Sequence, residues 1–259
     1  MSITLDLSGR VVLVTGGSQG IGAGITRRFV DAGAFVVTCA RREAEALPGT
    51  EHRTCDVRDP EAVSALVAAV AADHGRLDTV VNNAGGAPYA MAADASARFH
   101  EKIVGLNLLG PLAVAQAAYG VMREQGSGSV VNVSSVSAVR PSPGTASYGA
   151  AKAGLDSLTR TLAMEWGPTV RVNGITVGLC RTENTADHYG GDERVAAIER
   201  TIPLGRMAEP TEIGDVAVFL ASDLASYVSG ATVECHGGGE PPAFLTAHLI
   251  REDNPNQEH

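Results

Sequence analysis

The stretch that decides the fold is RVVLVTGGSQGIG, residues 10–22. Its first half, 10–15, is a short apolar run that is typical of a buried strand. The second half, TGGSQGIG at 15–22, leads into a helix predicted over 20–32. A glycine-rich turn from a strand into a helix lets the backbone approach a phosphate group, whose charge the helix N-terminus stabilises. The stretch therefore predicts the first strand–turn–helix unit of an α/β protein that binds a phosphorylated ligand.

The rest of the chain repeats this alternation of short apolar runs and longer helical patterns. Strands are predicted at 35–39, 77–81, 129–133 and 170–175, and helices at 60–74, 96–124 and 147–166. Strands without polar alternation are buried on both faces, and the helices between them supply right-handed crossovers. The pattern predicts a single-domain, Rossmann-type doubly wound parallel sheet flanked by helices over 1–250, followed by a disordered tail at 251–259.

Composition argues against several classes of partner. The 259 residues carry a formal net charge of −9 without any lysine- or arginine-rich block, so neither nucleic acid nor a membrane is expected as a partner. No apolar run approaches the roughly 20 residues of a membrane span, and the N-terminus lacks the features of a signal peptide. The four cysteines have no CxxC spacing, and no residue cluster has metal-ligand spacing. We therefore expect a soluble, cytoplasmic protein without a catalytic metal.

A phenol and an ammonium stand one helical turn apart in SYGAAKAG, residues 147–154. Tyr148 and Lys152 share a helix face because they are four residues apart. A tyrosine with a pKa of about 10 is a poor acid or base at neutral pH, and a nearby ammonium favours its phenolate form. The pair therefore predicts a general acid–base centre in which Lys152 lowers the pKa of Tyr148.

Five segments in register give the chain a resemblance to a known family. They are TGGSQGIG, NNAG at 82–85, Asn107, the set Ser135, Tyr148 and Lys152, and LASDLASYVSG at 220–230. In this order and spacing the chain resembles the short-chain dehydrogenases/reductases. The resemblance implies an oxidoreductase that transfers a hydride between a nicotinamide cofactor and a carbonyl or secondary alcohol. Tyr148 would then exchange the proton and Ser135 would hold the substrate oxygen, while Lys152 and Asn107 would resupply the proton.

The resemblance also implies where the cofactor binds. The glycines of the first turn would line the pyrophosphate, Asp56 and Val57 would hold the adenine, and Asn83 with Ala84 would border the adenosine ribose. The full implied set is Gly16, Ser18, Gln19, Gly20, Ile21, Gly22, Arg41, Arg42, Asp56, Val57, Asn83, Ala84, Gly85, Tyr148, Lys152, Gly178, Cys180 and Thr182.

The segment after the second strand bears on the choice of cofactor. Relatives that use NAD usually hold the ribose 2′-hydroxyl with an acidic residue there, whereas this chain has Ala40 followed by Arg41 and Arg42. A guanidinium pairs with the 2′-phosphate that a carboxylate would repel. NADP(H) is therefore the predicted cofactor. NAD(H) stays an alternative, because Gln19 stands where many NADP(H)-using relatives carry another basic residue.

Sequence alone leaves several substrates open. Reduction of a 3-oxoacyl thioester, hydroxysteroid-like chemistry and polyol oxidation are all compatible with these residues. A non-catalytic NADP(H)-binding sensor or scaffold is the alternative from a different class.

A substrate lid is predicted at about 183–207, where His188 and Tyr189 either line the pocket or face solvent. Arg140 is either a receptor for an anionic group of the substrate or an ordinary exposed arginine. By resemblance, the helices 96–124 and 147–166 would build a homotetramer.

Overall fold

One parallel sheet organises the protein, as seen in a computed structural model that describes residues 5–183 and 185–240. The sheet has the strand order β3-β2-β1-β4-β5-β6-β7, and every neighbouring pair is parallel. The predicted doubly wound, Rossmann-type sheet is confirmed. Its strands are β1 Val11–Thr15, β2 Phe35–Ala40, β3 Thr50–Thr54, β4 Thr79–Asn82, β5 Gly128–Ser135, β6 Val170–Val177 and β7 Thr232–Cys235.

Helices cover both faces of this sheet. The predicted start of α2 is confirmed by its cap: the Asp59 side chain accepts hydrogen bonds from the N–H groups of Glu61 and Ala62, and Pro60 occupies the first helical position. The helices of the described residues are α1 Gly20–Asp31, α2 Pro60–His74, α3 Ala97–Val104, α4 Gly110–Gln125, α5 Ala146–Trp166, α6 Thr185–Tyr189, α7 Asp192–Glu199 and α8 Pro210–Ala221.

Alternate residues of β1 explain why the sheet needs helices on both faces. Val11 and Leu13 pack into a core cluster with α2, α4 and α5. Val12 and Val14 pack into a second cluster with α1 and α8. A strand that is covered on both faces has a continuous apolar run, because no side chain of the strand reaches solvent.

Outside the segment predicted as a lid, the strands β3 and β7 and the helix α8 are not predicted from the sequence. The strands β3 and β7 lie at the two edges of the sheet and are largely half-buried. β3 reads TEHRT and so has no apolar residue that would mark it as a strand. The helix α8 is apolar and packs against α1, but it directly follows the segment that the sequence assigns to a lid.

The predicted helix 96–124 is interrupted. A π-helical turn, Gly105–Leu109, separates α3 from α4 and contains Asn107. Within the described residues, the combined segment Ala97–Gln125 is the one helix long and apolar enough to cross a membrane by composition, with a mean hydropathy of 1.3. It is a core helix of this fold, because α4 packs against α2 and the sheet and buries Val114 and Met122.

The carboxyl ends of β1 and β4 mark the place where ligands bind to sheets of this kind. From β1 the chain builds outward to β2 and β3, whereas from β4 the sheet grows in the opposite direction. The loops that follow these two strands diverge and leave a crevice between them. The glycine-rich turn follows β1 and NNAG follows β4, so both lie at this crevice.

Candidate active site

A cleft at this edge of the sheet gathers most of the residues that the sequence selects. Its volume is about 340 Å³. The glycine-rich turn, NNAG, the end of β5, one face of α5 and the end of β6 all contribute to it. The lining residues are Gly16, Gln19, Gly20, Ile21, Gly22, Asn83, Ala84, Gly85, Gly86, Val133, Ser134, Ser135, Tyr148, Lys152, Val177, Gly178, Thr182 and Glu183.

The glycine-rich turn is closed tightly against its own helix. Gly16 and Gly20 have φ angles of 64° and 52°, in the left-handed region that favours glycine. A Cβ on Gly22 would lie 2.0 Å from the carbonyl oxygen of Gly16, so no larger residue fits there. The turn therefore brings the start of α1 to the wall of the cleft, where backbone N–H groups stabilise an anion.

Thr15 and Asn83 join the two loops of the crevice. The Asn83 side-chain amide donates to the carbonyl oxygens of Thr15 at 3.0 Å and Gly16 at 3.1 Å. In return, the Thr15 hydroxyl accepts from the N–H groups of Asn83 and Ala84, both at 3.0 Å. Thr15 is absent from the sequence-predicted site, because a threonine at a strand end gives no signal. The structure shows that it fixes the shape of the predicted cofactor cradle.

Three side chains that the sequence assigns to chemistry meet on one wall of the cleft. Tyr148 and Lys152 lie one turn apart on α5, and the Lys152 Nζ lies 5.7 Å from the centre of the Tyr148 ring. Ser135 ends β5, and its hydroxyl lies close enough to the Tyr148 phenol to lower the pKa of that phenol. The Ser135 Oγ also accepts from the N–H of Ser137 at 3.2 Å, which orients the hydroxyl.

Burial is the largest influence on the pKa values of Tyr148 and Lys152. It raises the pKa of the Tyr148 phenol, and the Ser135 hydroxyl works against that rise. The prediction that Lys152 lowers the pKa of Tyr148 is therefore wrong for this arrangement: burial raises that pKa, and the opposing contribution comes from Ser135. Burial also lowers the pKa of the Lys152 ammonium to about 8. Tyr148 is thus a protonated phenol at neutral pH.

The π-helical turn holds Asn107 against the lysine. The Asn107 side chain accepts from the N–H of Gly86 at 2.8 Å and donates to the carbonyl oxygens of Gly86 and Ile103 at 3.0 Å and 2.9 Å. A Cβ on Gly85 would lie 2.7 Å from the Asn107 Oδ1 and 3.4 Å from the Lys152 Nζ. Asn107 and Lys152 therefore flank one glycine, and only glycine leaves room for both.

Of the residues assigned to the adenosine end, Asn83 and Ala84 line the cleft, whereas those assigned to the adenine and the 2′-phosphate do not. Asp56 forms an ion pair with Arg58 at 2.5 Å, and the hydrogen bonds from Arg58 lower the pKa of that carboxyl. Val57 is buried. Arg41 and Arg42 follow β2 as exposed residues, and neither forms an ion pair within the described residues. Both guanidinium groups are therefore accessible to a ligand.

The segment after β6 divides between cleft and core. Gly178 and Thr182 line the cleft, as the sequence expects. Cys180 instead packs with the core cluster of α1 and α8 and pairs through its backbone with Ala208. Burial raises the pKa of its thiol to about 12, which leaves the thiol unreactive. The structure thus does not place Cys180 in the cleft. Ser18 lies in a neighbouring depression.

Glu183 is a cleft residue outside the sequence-predicted set. Its Oε1 accepts a hydrogen bond from the N–H of Gly20 at 3.0 Å. A carboxylate therefore sits at the start of α1, where the resemblance places the cofactor pyrophosphate. An acidic residue in a polar loop is ordinary in sequence, so no pattern could have selected it.

The segment 183–207, where the sequence predicts a substrate lid, contains the short helices α6 and α7, and Arg140 lies outside it, after β5. Arg140 pairs with Glu240 at 2.5 Å, so its charge is already compensated. Tyr189 is half-buried, and burial raises the pKa of its phenol while Arg140 lowers it. Tyr189 therefore lies on the side of the lid that faces Arg140. The side chain of His188 lies outside the described residues, as does Asn184.

Fold and site together define a class: an α/β oxidoreductase with a nicotinamide dinucleotide cradle and a tyrosine–lysine pair. A family sequence profile described as "Enoyl-(Acyl carrier protein) reductase" matches residues 16–240. The chain belongs to the short-chain dehydrogenase/reductase family, and the resemblance drawn from the sequence is confirmed. Members of this family act on alcohol or carbonyl groups with NAD(H) or NADP(H).

Relatives of known activity span different substrates. The chain is 36% identical to the 3-oxoacyl-[acyl-carrier-protein] reductase FabG of Thermotoga maritima, covering 90% of this chain and 99% of the relative. It is 38% identical to the D-threitol dehydrogenase of Mycolicibacterium smegmatis, covering 92% and 96%. The ligand-free aldohexose dehydrogenase of Thermoplasma acidophilum superposes with a TM-score of 0.86 at 29% identity, covering 90% and 94%. The comparisons therefore establish the family, whereas the substrate differs from one relative to another.

Proposed function

We propose that the protein is an NADP(H)-dependent oxidoreductase that reduces a carbonyl or oxidises the corresponding secondary alcohol. The observation that carries this proposal is the meeting of Ser135, Tyr148 and Lys152 with the glycine-rich turn in one cleft. A dinucleotide that laid its pyrophosphate on the turn would direct its nicotinamide toward Tyr148. The residues present fit such a group, since a side chain at Gly22 would collide with the Gly16 carbonyl oxygen and the start of α1 faces the cleft.

When bound, the nicotinamide supplies or accepts the hydride. The chain's own residues handle the proton. Tyr148, kept protonated by burial, donates its proton to the substrate oxygen during reduction, and Ser135 holds that oxygen through its hydroxyl. Lys152, an ammonium below a pKa of about 8, returns a proton toward Tyr148. Asn107 holds the loop of Gly86 beside this lysine.

The preference for NADP(H) rests on Arg41, with Arg42 as a second donor. Both follow β2, where an acidic residue would serve the 2′-hydroxyl of NAD, and both are exposed. A guanidinium forms charge-assisted, bidentate hydrogen bonds with a phosphate. Arg41 also helps to lower the pKa of the Asp56 carboxyl, and this proximity to the residue proposed to hold the adenine supports a role for Arg41 at the adenosine end.

The proposed substrate is a 3-oxoacyl thioester or a hydroxysteroid-like ketone. The name of the Thermotoga maritima relative supports the former, and a 3beta-hydroxysteroid dehydrogenase of Eggerthella lenta, 36% identical, supports the latter. Because Glu240 neutralises Arg140, the structure offers little support for recognition of an anionic group by that arginine. The proposal further includes a cytoplasmic homotetramer built through α4 and α5.

The experiment that tests the function is a turnover assay. NADPH and NADH absorbance would be followed with 3-oxoacyl thioesters, steroids, diketones and simple ketones, with Tyr148→Phe in parallel. We expect turnover with NADPH and a loss of about 10²- to 10⁴-fold in kcat for the variant, because proton transfer by a positioned side chain contributes about that much. Unchanged cofactor affinity in the variant would show that its fold is intact.

Two results would overturn the catalytic proposal. Tight NADPH binding without turnover of any compound would favour a non-catalytic sensor or scaffold. Equal turnover by the wild type and Tyr148→Phe would also contradict it, because another group would then have to donate the proton.

A further inference from the structure

Four ionisable side chains form one row along α5. Tyr148, Lys152, Asp156 and Arg160 follow each other at intervals of four residues, so each is the neighbour of the next on the helix surface. The row begins in the cleft with Tyr148 and Lys152 and ends at the exposed Arg160. The proposed mechanism uses the first two groups only. Asp156 lies between them and the surface with 8% of its area exposed.

The Asp156 carboxylate is not explained by local folding. It faces the hydroxyl of Ser134, yet within the described residues neither the Asp156 Oδ1 nor the Ser134 Oγ completes a hydrogen bond of ordinary geometry. Burial raises the pKa of Asp156, whereas Ser134, Arg160 and Lys152 lower it. A buried carboxylate with an unsatisfied oxygen costs free energy. Its presence therefore points to a role outside stability.

Lys152 is a buried positive charge that a nearby carboxylate would stabilise. Its ammonium is buried and donates to the carbonyl oxygen of Val133 at 2.7 Å. The other groups around it are the Tyr148 phenol, the Asn107 amide and Gly85, which carry no compensating negative charge. Among the described residues, Asp156 is the one carboxylate that acts on Lys152, and it favours the charged form.

We propose that Asp156 is a positioning residue for Lys152: its carboxylate keeps the buried lysine in the ammonium form, and Arg160 keeps Asp156 ionised. Asp156 does not line the cleft, so it acts on the chemistry only through the lysine. The inference rests on the proposed function, in which Lys152 returns protons to Tyr148. It adds that the alkaline limit of activity is set by a pair of residues one turn apart.

The sequence permits a direct measurement of this charge. The chain contains only two lysines, Lys102 and Lys152. Lys102 is exposed on α3 and serves as an internal reference for a solvated ammonium. Full-length protein labelled with ¹³C at the lysine Cε would give two NMR signals, and Lys102→Arg would assign them. The pH midpoint of the Lys152 signal then reports its ionisation without any need for turnover.

Asp156→Asn is the decisive variant, with Ser157→Ala on the exposed side of the same helix as control. We expect the Lys152 midpoint to fall by on the order of one pH unit in Asp156→Asn, while that of Lys102 stays constant. The alkaline limb of kcat/KM should move by the same amount, and activity at pH 6 should approach that of the wild type. Asp156→Ser repeats the test if the asparagine variant does not fold.

Several outcomes would overturn the inference. An unchanged Lys152 midpoint would show that Asp156 does not hold the charge, and a loss of activity that is equal at every pH would indicate a structural role only. The two proposals fail separately. A wild type that reduces no carbonyl refutes the proposed function, whether or not the lysine midpoint moves. Normal turnover with an unmoved midpoint refutes the role of Asp156 alone.

Discussion

The Glu183 Oε1 lies 3.0 Å from the backbone nitrogen of Gly20 and accepts its hydrogen bond. Gly20 begins α1, and the N-terminus of a helix is an anion site. Glu183 is the first residue of the segment 183–207 that is predicted to be a lid, so this segment is hydrogen-bonded directly to the glycine-rich turn. Because a pyrophosphate at this helix N-terminus would need the same N–H group and repel the same charge, we expect Glu183 to leave when the cofactor binds.

Replacing Glu183 by Gln should therefore tighten cofactor binding. The amide keeps the size of the side chain but removes the charge that the helix N-terminus stabilises. We expect the Kd for NADPH to fall by about 3- to 10-fold, since each 1.4 kcal/mol corresponds to about a tenfold change. Fluorescence titration with NADPH would measure this. Asp187→Asn, an exposed acid on α6, is the matched control for a general charge effect, and equal gains in both variants would contradict the argument.

Replacing Lys152 by Met should stabilise the fold while abolishing turnover. The folded-state pKa of Lys152 is about 8, against 10.5 for an unperturbed lysine. The unfolded chain thus binds more protons between these values, so the cost of burying the ammonium is full below pH 8 and fades toward pH 10.5. At pH 7 this cost is about 3 kcal/mol. The lost hydrogen bond to Val133 offsets part of the gain.

Urea denaturation at several pH values would test whether Lys152→Met raises the free energy of unfolding and how this gain depends on pH. The stability advantage of Lys152→Met should be largest at pH 7 and should shrink as the pH rises toward 10. Lys102→Met changes an exposed lysine and should leave stability unchanged at every pH. An advantage that does not depend on pH would mean that packing, not the buried charge, is responsible.

The sequence predicts those parts of the fold whose residues are buried on both sides. The apolar runs around Leu13, Val80 and Val130 have no polar alternation, so five strands and their parallel arrangement can be read directly. β3 could not, because TEHRT lies at a sheet edge where polar side chains reach solvent. The π-helical turn at Asn107 is not predictable from the sequence either, because a local change in helical hydrogen bonding leaves the spacing of apolar residues almost unchanged.

At the site, motifs identify side chains but not their electrostatics. The spacing of Tyr148 and Lys152 places them on one helix face, as found. The direction of the Tyr148 pKa shift was mispredicted, because sequence shows a neighbouring charge and hides the desolvation that opposes it. Glu183 and Asp156 were missed for a related reason. Each acts through a contact with a distant or buried group, Gly20 in one case and Lys152 in the other.

Replacing Thr15 by Val should weaken cofactor binding, because Thr15 holds the loop after β4 against the glycine-rich turn. The isosteric change removes the acceptor for the N–H groups of Asn83 and Ala84, and we expect a loss of about 1–3 kcal/mol in folding free energy because two donors are left unpaired. The Kd for NADPH should rise as the two loops separate. Thr38→Val is the control: that hydroxyl is also buried and hydrogen-bonded, but toward β3. If both variants weakened NADPH binding equally, the specific role of Thr15 would be refuted.

Replacing Arg41 by Ala should change the preference between cofactors. Hydrogen bonds to charged groups contribute about 1.5–3 kcal/mol, so kcat/KM with NADPH should fall by about 10- to 100-fold, while kcat/KM with NADH should hardly change. Arg42→Ala provides the comparison, because the Arg42 carbonyl oxygen is a partner of the His52 ring but its guanidinium is exposed. A larger effect at Arg42 would transfer the phosphate contact to that residue. An equal loss with NADPH and NADH in both variants would show that neither arginine distinguishes the 2′-phosphate, and the proposed preference for NADP(H) would have to be abandoned.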